Sequence, residues 1–145
     1  MTKEFDCSKE TGLVIFVERI QKMNETFKLP SNDKPTDQGQ PRLNQFHRVL
    51  SDELEELYEV YEEGTEPNFV ALADCLGDLV VYIFSEARRW GIPLVDVLHI
   101  IMDSQDSKLV DGQPLMAEDG SKFIKGPNYT PPEENIRRLL ERTKK

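Results

Sequence analysis

The chain contains no long hydrophobic run. Its longest apolar stretches are residues 13–17 and 79–84, whereas a helix needs about 20 apolar residues to cross a bilayer. It also lacks a basic segment followed by an apolar one at its start, which is the pattern of a secretory signal. We therefore expect a cytoplasmic protein that does not associate with membranes.

Cysteine and positive charge are both scarce. Cys7 and Cys75 stand in no metal-binding or disulfide spacing, so both are expected to be reduced. The chain has 18 Lys and Arg residues against 27 Asp and Glu residues, which gives a net charge of −9. This balance argues against binding nucleic acid through a basic surface. A phosphate-rich ligand would have to arrive with a divalent cation.

The length of 145 residues suits a single domain. Hydrophobic periodicity predicts an all-α bundle of four longer helices and a short C-terminal one, with a core over about residues 8–108 and a tail or flap over about residues 109–145. The helices are expected at about residues 8–27, 42–63, 67–90, 93–106 and after residue 130. Asp-Gly turns at 111–112 and 119–120 predict a small hairpin or an irregular flap. Thr130 with Glu133 predicts a capping box on the last helix.

The segment 51–60, SDELEELYEV, mixes five acids with leucines at helical spacing. Counting about 100° per residue along the helix places Glu53 inside the apolar arc and Glu56 at the edge of that arc. The remaining acids of the segment fall toward the wet side of the helix. Glu53 and Glu56 are therefore predicted to flank the core, one turn apart.

The third helix carries two more acids in an apolar setting. Between Asn68 and Phe84 only Asp74 and Asp78 are charged, so the helix is expected to be buried on most sides. Two carboxylates four residues apart share one stripe and repel each other unless something positive lies between them. Together with Glu53 and Glu56 they make four oxygen ligands on neighbouring helices, a donor set that suits Mg²⁺ or Mn²⁺.

The pattern alone leaves a second interpretation open. Acidic helix faces are common, so an E-x-x-E motif by itself is weak evidence. Asp74 and Asp78 could instead form buried ion pairs with an arginine. The candidate arginines are Arg42, Arg48 and Arg88.

An E-x-x-E helix followed by an apolar helix with Asp resembles the all-α nucleoside triphosphate pyrophosphohydrolases. This superfamily includes MazG-type enzymes, dimeric dUTPases, dCTP pyrophosphatases and phosphoribosyl-ATP pyrophosphohydrolases, and its metal motif is E-x-x-E … E-x-x-D. Glu53 and Glu56 match the first half of the motif and Asp78 matches its final Asp. The resemblance covers residues 46–108, and the tail resembles that of an extended MazG-like subgroup.

The chain departs from the family motif at one position. Cys75 stands where the second Glu is expected, and thiols are poor Mg²⁺ ligands. We expect Cys75 to pack in the interior and the adjacent Asp74 to replace the missing ligand. The segment MDSQDSK resembles a family segment M-D-x-N, which makes Asp103 a further candidate for a metal or water contact, although Gln105 stands where Asn would be.

The resemblance implies a function. In the family, metal ions bridge the carboxylates to the phosphates of a nucleoside triphosphate, and water attack releases monophosphate and pyrophosphate. We expect a deoxynucleotide substrate, with substrate-binding lysines in the tail: Lys108, Lys122 and Lys125. Two alternatives are phosphoribosyl-ATP hydrolysis and, because of Cys75, a catalytically lapsed nucleotide-binding or adaptor protein.

The apolar third helix also predicts assembly. A chain with four longer helices can hardly cover it on every side. The resemblance implies the same, so we expect a homodimer or a dimer of dimers.

Overall fold

The computed structural model describes residues 11–62, 64 and 66–144 of the chain. Helix accounts for 63% of this part, with five α-helices and one two-stranded sheet, so the predicted all-α class is confirmed. None of the described helices combines the length and the apolarity that crossing a membrane requires. The chain divides into an N-terminal unit that ends at Ile92 and a C-terminal unit that begins at Pro93.

The N-terminal unit contains three α-helices: α1 (Thr11–Thr26), α2 (Gln40–Glu55) and α3 (Phe69–Trp90). Helix α2 continues as a 3₁₀ segment over Glu56–Tyr61, so the prediction of one regular helix to residue 63 is wrong in its last turns. Short 3₁₀ stretches are common where α-helices end. The predicted first residue of the first helix, Ser8, and the predicted last residue of the second, Glu63, lie outside the described residues, as does Cys7.

Both ends of α3 follow from local sequence. The Asn68 side chain accepts a hydrogen bond from the Ala71 backbone N–H at 3.1 Å, which caps the first turn. Gly91 ends the helix in the left-handed conformation, with φ of 69°. A Cβ at Gly91 would lie 1.9 Å from the Lys34 carbonyl oxygen, so only glycine permits the connector before α2 to cross here.

Helix α1 is tied to α3 by a buried polar contact. Asn24 is fully buried, and its Nδ2 donates to the Ser85 carbonyl oxygen at 3.1 Å. The Ser85 hydroxyl donates back to Asn24 Oδ1 at 2.7 Å. The rings of Phe16 on α1 and Phe84 on α3 also meet edge to face, with centroids 5.2 Å apart. A buried amide with its partners satisfied fixes one alignment of the two helices.

Helix α2 runs antiparallel to α3, and a buried ion pair fixes their register. Arg42 Nε, in the first turn of α2, donates to both oxygens of the buried Glu86 at 3.1 and 3.2 Å. Trp90 Nε1 donates to Glu86 Oε1 at 2.7 Å. At the other end of α2, Cys75 Sγ donates to the Glu53 carbonyl oxygen at 3.3 Å. Removing either Arg42 or Glu86 from their buried ion pair should cost about 3–5 kcal/mol of stability.

The C-terminal unit contains α4 (Leu94–Asp106), β1 (Leu115–Met116), β2 (Phe123–Ile124) and α5 (Glu133–Thr143). The two strands pair antiparallel around Asp119-Gly120, so of the two expected forms, a small hairpin or an irregular flap, the segment adopts the hairpin. At the other Asp-Gly pair, both central residues have positive φ, 51° and 74°, as a two-residue hairpin turn requires.

The capping box predicted for α5 does not form. Pro132 is the N-cap residue, and the Thr130 hydroxyl lies near the Asn128 carbonyl oxygen instead. The Thr130 backbone is held by α4, since its carbonyl oxygen accepts from the Ser104 hydroxyl at 2.8 Å and its N–H donates to Ser107 Oγ at 2.9 Å. The attachment to α4 therefore takes the place of the cap.

Candidate metal centre

The antiparallel register of α2 and α3 brings Glu53 to the middle of α3. The Cys75 thiol contacts the Glu53 backbone, and Asp78 follows Cys75 by three residues, or about one turn. Glu56 begins the 3₁₀ segment one turn after Glu53. The two halves of the predicted motif therefore lie on facing helices.

Glu53 is the most perturbed carboxylate in this cluster. Its Oε2 atom is buried and has no hydrogen-bond partner. Burial raises the pKa of Glu53, and the negative charges of Glu56 and then Asp78 raise it further, as does a hydrogen bond with Glu56. Burial and like charge both oppose ionisation, so the Glu53 carboxyl is harder to ionise than a free one.

Tyr82 belongs to the same cluster, although the sequence analysis did not identify it. It follows Asp78 by four residues and therefore shares its stripe on α3. Burial raises the pKa of its hydroxyl, followed by the charges of Glu53 and Asp78, and a hydrogen bond with Glu53 raises it as well. The same hydrogen bond lowers the pKa of Glu53. The i, i+4 spacing from Asp78 was the signal that could have found Tyr82.

Cys75 packs in the interior, as predicted. Its side chain is fully buried and is a free thiol. Burial raises its pKa, and the charges of all four predicted carboxylates raise it further, with Asp74 contributing least. The thiol therefore stays protonated and is neither a nucleophile nor a metal ligand.

Two of the three proposed arginine partners pair with other acids. Arg42 pairs with Glu86, and Arg88 pairs with Asp33 at 2.7 Å. Arg48 is exposed. In the part of the chain that the structure describes, no ion pair joins these arginines to the two aspartates of α3, so the ion-pair interpretation finds no support.

The other predicted residues lie at the margin or in the second unit. Asp74 is exposed on α3. It is not among the groups whose charges raise the pKa of Glu53. Asp103 is an exposed residue of α4 in the C-terminal unit. The three predicted substrate lysines also belong to that unit, where they line one pocket together.

The donor chemistry fits a hard cation, while the side-chain positions do not yet enclose one. Among residues 11–62, 64 and 66–144, no three His, Cys, Asp or Glu side chains are arranged to hold a metal ion. The orphaned oxygen of Glu53 is the group that an ion would satisfy.

The chain matches no model of a known protein family and no curated protein. The resemblance of its acidic motif to the pyrophosphohydrolases therefore stays a prediction.

Asp74→Asn should be nearly as damaging as Asp78→Asn, because both aspartates are expected to hold the ion. We expect each change to lower metal-dependent turnover by about 100-fold. Losing a group that only orients a metal ligand typically costs about 10- to 100-fold, and these aspartates are expected to contact the ion themselves. Cys75→Ala should keep most of the activity and cost about 1 kcal/mol of stability, because it leaves a small cavity. Pyrophosphate release and thermal unfolding measure both effects. If the Cys75→Ala protein were inactive and the Asp74→Asn protein fully active, the hypothesis that Asp74 replaces the missing glutamate ligand would be refuted.

Proposed function

We propose that the protein hydrolyses a nucleoside triphosphate, expected to be a deoxynucleotide, to nucleoside monophosphate and pyrophosphate with the help of Mg²⁺ or Mn²⁺. One observation carries the proposal. Glu53 presents a buried oxygen without a partner, and it lies beside Glu56 and Asp78, whose charges raise its pKa without an opposing arginine among the groups described. A cluster of this kind is a candidate functional site because unstabilised charge is costly to keep.

The residues that would hold the ions are Glu53, Glu56 and Asp78, with Asp74 in support. A bound Mg²⁺ or Mn²⁺ would polarise water for attack on phosphorus and offset the charge on the leaving pyrophosphate. Ions in this position would also reverse the local sign of the potential, which lets a chain of net charge −9 bind a polyanion.

The chain's own residues orient the reaction rather than form a covalent bond with the substrate. Cys75 is buried and its pKa is raised, so it is a poor nucleophile. Tyr82 lies close enough to the Glu53 carboxylate to lower the pKa of Glu53, against the burial that raises it. Direct attack by water is therefore the mechanism that we propose.

The proposal includes self-association through one face of α3. Helices α1 and α2 contact α3 through Ser85 and Glu86 respectively. Phe69, Leu76, Val80 and Ile83 remain 71, 52, 45 and 42% exposed. Their spacings of seven, four and three residues place them on one helix face. An exposed apolar face of this length is typical of an interface, and a homodimer or a dimer of dimers would cover it.

Two alternatives remain beside the main proposal. Hydrolysis of phosphoribosyl-ATP uses the same donor set and differs only in the substrate. A catalytically lapsed nucleotide-binding protein is favoured by the buried Cys75, which gives no oxygen where the motif expects one. A cytoplasmic location is the compartment that we propose for each of these roles.

Release of pyrophosphate from a panel of ribo- and deoxynucleoside triphosphates and phosphoribosyl-ATP tests the proposal. Each substrate is incubated with the protein in Mg²⁺, in Mn²⁺ and in excess EDTA. We expect release with at least one substrate in either metal and none in EDTA. Nucleotide binding that raises the melting temperature, without turnover of any substrate, would contradict hydrolysis and favour the adaptor.

A further inference from the structure

A pocket of about 560 Å³ in the C-terminal unit is lined by Lys108, Lys122, Phe123, Ile124 and Lys125. No acidic residue lines it, although acids outnumber bases by 27 to 18 in the chain. Three ammonium groups without a carboxylate among them concentrate positive potential. The pocket is therefore a local reversal of the protein's overall charge.

The backbone around Gly126 brings the lysines together. The Gly126 N–H donates to the Lys108 carbonyl oxygen at 3.2 Å, which attaches the end of β2 to the turn after α4. A Cβ at Gly126 would lie 2.6 Å from Val110 Cγ2 and 2.9 Å from the Lys108 oxygen. This close approach requires glycine, so the meeting of Lys108 with Lys125 is a feature of the fold rather than an accident of flexible side chains.

One of the lysines is also oriented by an aromatic ring. Lys125 Nζ lies 4.7 Å from the centroid of the Tyr129 ring, a cation–π contact. The contact limits the freedom of a long side chain, which lowers the entropy lost when the ammonium binds a ligand.

We propose that this pocket binds the oligophosphate group of a nucleotide without any metal ion, contrary to the expectation from net charge alone, because its lining contains three lysines and no acid. Three point charges match the three or more negative charges of a triphosphate better than the single charge of a carboxylate or chloride. Phe123 is 55% exposed and supplies an apolar wall, on which a base can stack. A free oligophosphate shares the phosphate chemistry but would not use the wall. The choice of a nucleotide as ligand rests on the function proposed above.

Titration calorimetry of the whole chain in EDTA and low salt tests the proposal, with tripolyphosphate and a nucleoside triphosphate as the two probes. We expect one site per chain for both probes, with the nucleotide at least 5-fold tighter, and binding that weakens as salt is added. Phe123→Ala should remove the advantage of the nucleotide and leave the affinity for tripolyphosphate unchanged.

A triple variant with glutamine at positions 108, 122 and 125 should weaken both probes at least 10-fold. Its matched control is the triple variant Lys22→Gln, Lys34→Gln and Lys144→Gln. These three lysines are exposed and do not line the pocket, so both variants lose the same charge. Circular dichroism checks that each variant is folded. Equal loss in the control would overturn the pocket, because the binding would then be non-specific.

Absence of binding in EDTA would overturn the proposal as well, even if the enzyme turns over nucleotide with Mg²⁺. Binding in EDTA by a protein that releases no pyrophosphate would instead sustain the pocket and refute the proposed hydrolysis. If both probes bind with equal affinity and Phe123→Ala changes neither affinity, the nucleotide is not the ligand. The pocket would then bind free oligophosphate.

Discussion

Glu53→Gln should abolish pyrophosphate release and, without divalent metal, should make the protein more stable at neutral pH. The glutamine keeps the size of the side chain but removes the charge that would hold an ion. It also removes a partly buried charge that Glu56 and Asp78 repel. We expect a gain of about 1 kcal/mol in EDTA, the lower end of what an unsatisfied buried group costs. Stabilisation of the fold by added Mg²⁺ should shrink at the same time.

The pH dependence of this gain has a definite sign. The folded protein holds the Glu53 proton more tightly than the unfolded chain does, because the pKa is raised in the folded state. The contribution of Glu53 to stability is therefore present below its ordinary value of 4.5 and is lost as the pH rises through the raised value. The advantage of glutamine should appear at neutral pH and disappear in acid.

Thermal unfolding in EDTA at several pH values, beside an assay of pyrophosphate release, measures these effects. Glu55→Gln is the matched control, since Glu55 is an exposed neighbour on the same helix. The control should keep both the activity and the stability of the parent protein. A Glu53→Gln protein that turns over substrate at the normal rate would show that the site lies elsewhere.

Val80→Glu should convert the proposed dimer or dimer of dimers to a monomer. Val80 is in the middle of the exposed apolar face of α3, so a glutamate there leaves the single chain intact but would be buried without a partner in the interface. Burying an unpaired charge costs several kcal/mol, and we expect the dissociation constant to rise by at least about 100-fold. Helix content should not change.

Sedimentation velocity at micromolar concentration measures the change. Val14→Glu is the control, because Val14 is an exposed valine on α1 rather than on the α3 face. The parent protein and the control should sediment as dimers or larger assemblies. A parent protein that is monomeric at this concentration, or a Val80→Glu protein that assembles normally, would contradict the interface.

Much of the fold followed from local sequence. The third helix was expected to begin at about Pro67, and it begins two residues later, at Phe69, with Asn68 as its cap. The end was expected at Gly91, which has the left-handed conformation that glycine favours. The Asp-Gly pairs correctly marked the turns of the tail, because few other dipeptides adopt positive φ at low cost.

The failures involve tertiary contacts that local patterns do not report. The sequence offered Arg42 as a partner for Asp74 or Asp78, whereas Arg42 pairs with Glu86. Glu86 was not considered, since one acid near the end of a helix is unremarkable until Trp90 and Arg42 enclose it. The Thr130 cap failed for the same reason, because contacts to α4 occupy its backbone.

The candidate site was predicted in part. The angular position of Glu53 in its helix indicated that it points inward, and the structure gives it a buried oxygen. The i, i+4 spacing of Tyr82 from Asp78 was a weak signal, because tyrosines on apolar helix faces are more often packing residues than site residues. Its interaction with Glu53 depends on the register of α2 against α3, which the Arg42–Glu86 pair sets.

Hydrolysis in ¹⁸O-labelled water tests the central claim most directly. With Mg²⁺ and a nucleoside triphosphate, the products should be monophosphate and pyrophosphate from the earliest times, with ¹⁸O in one of them. Label in the monophosphate would place the attack at the α-phosphorus, and label in pyrophosphate would place it at the β-phosphorus. Nucleoside diphosphate with labelled orthophosphate would contradict the account.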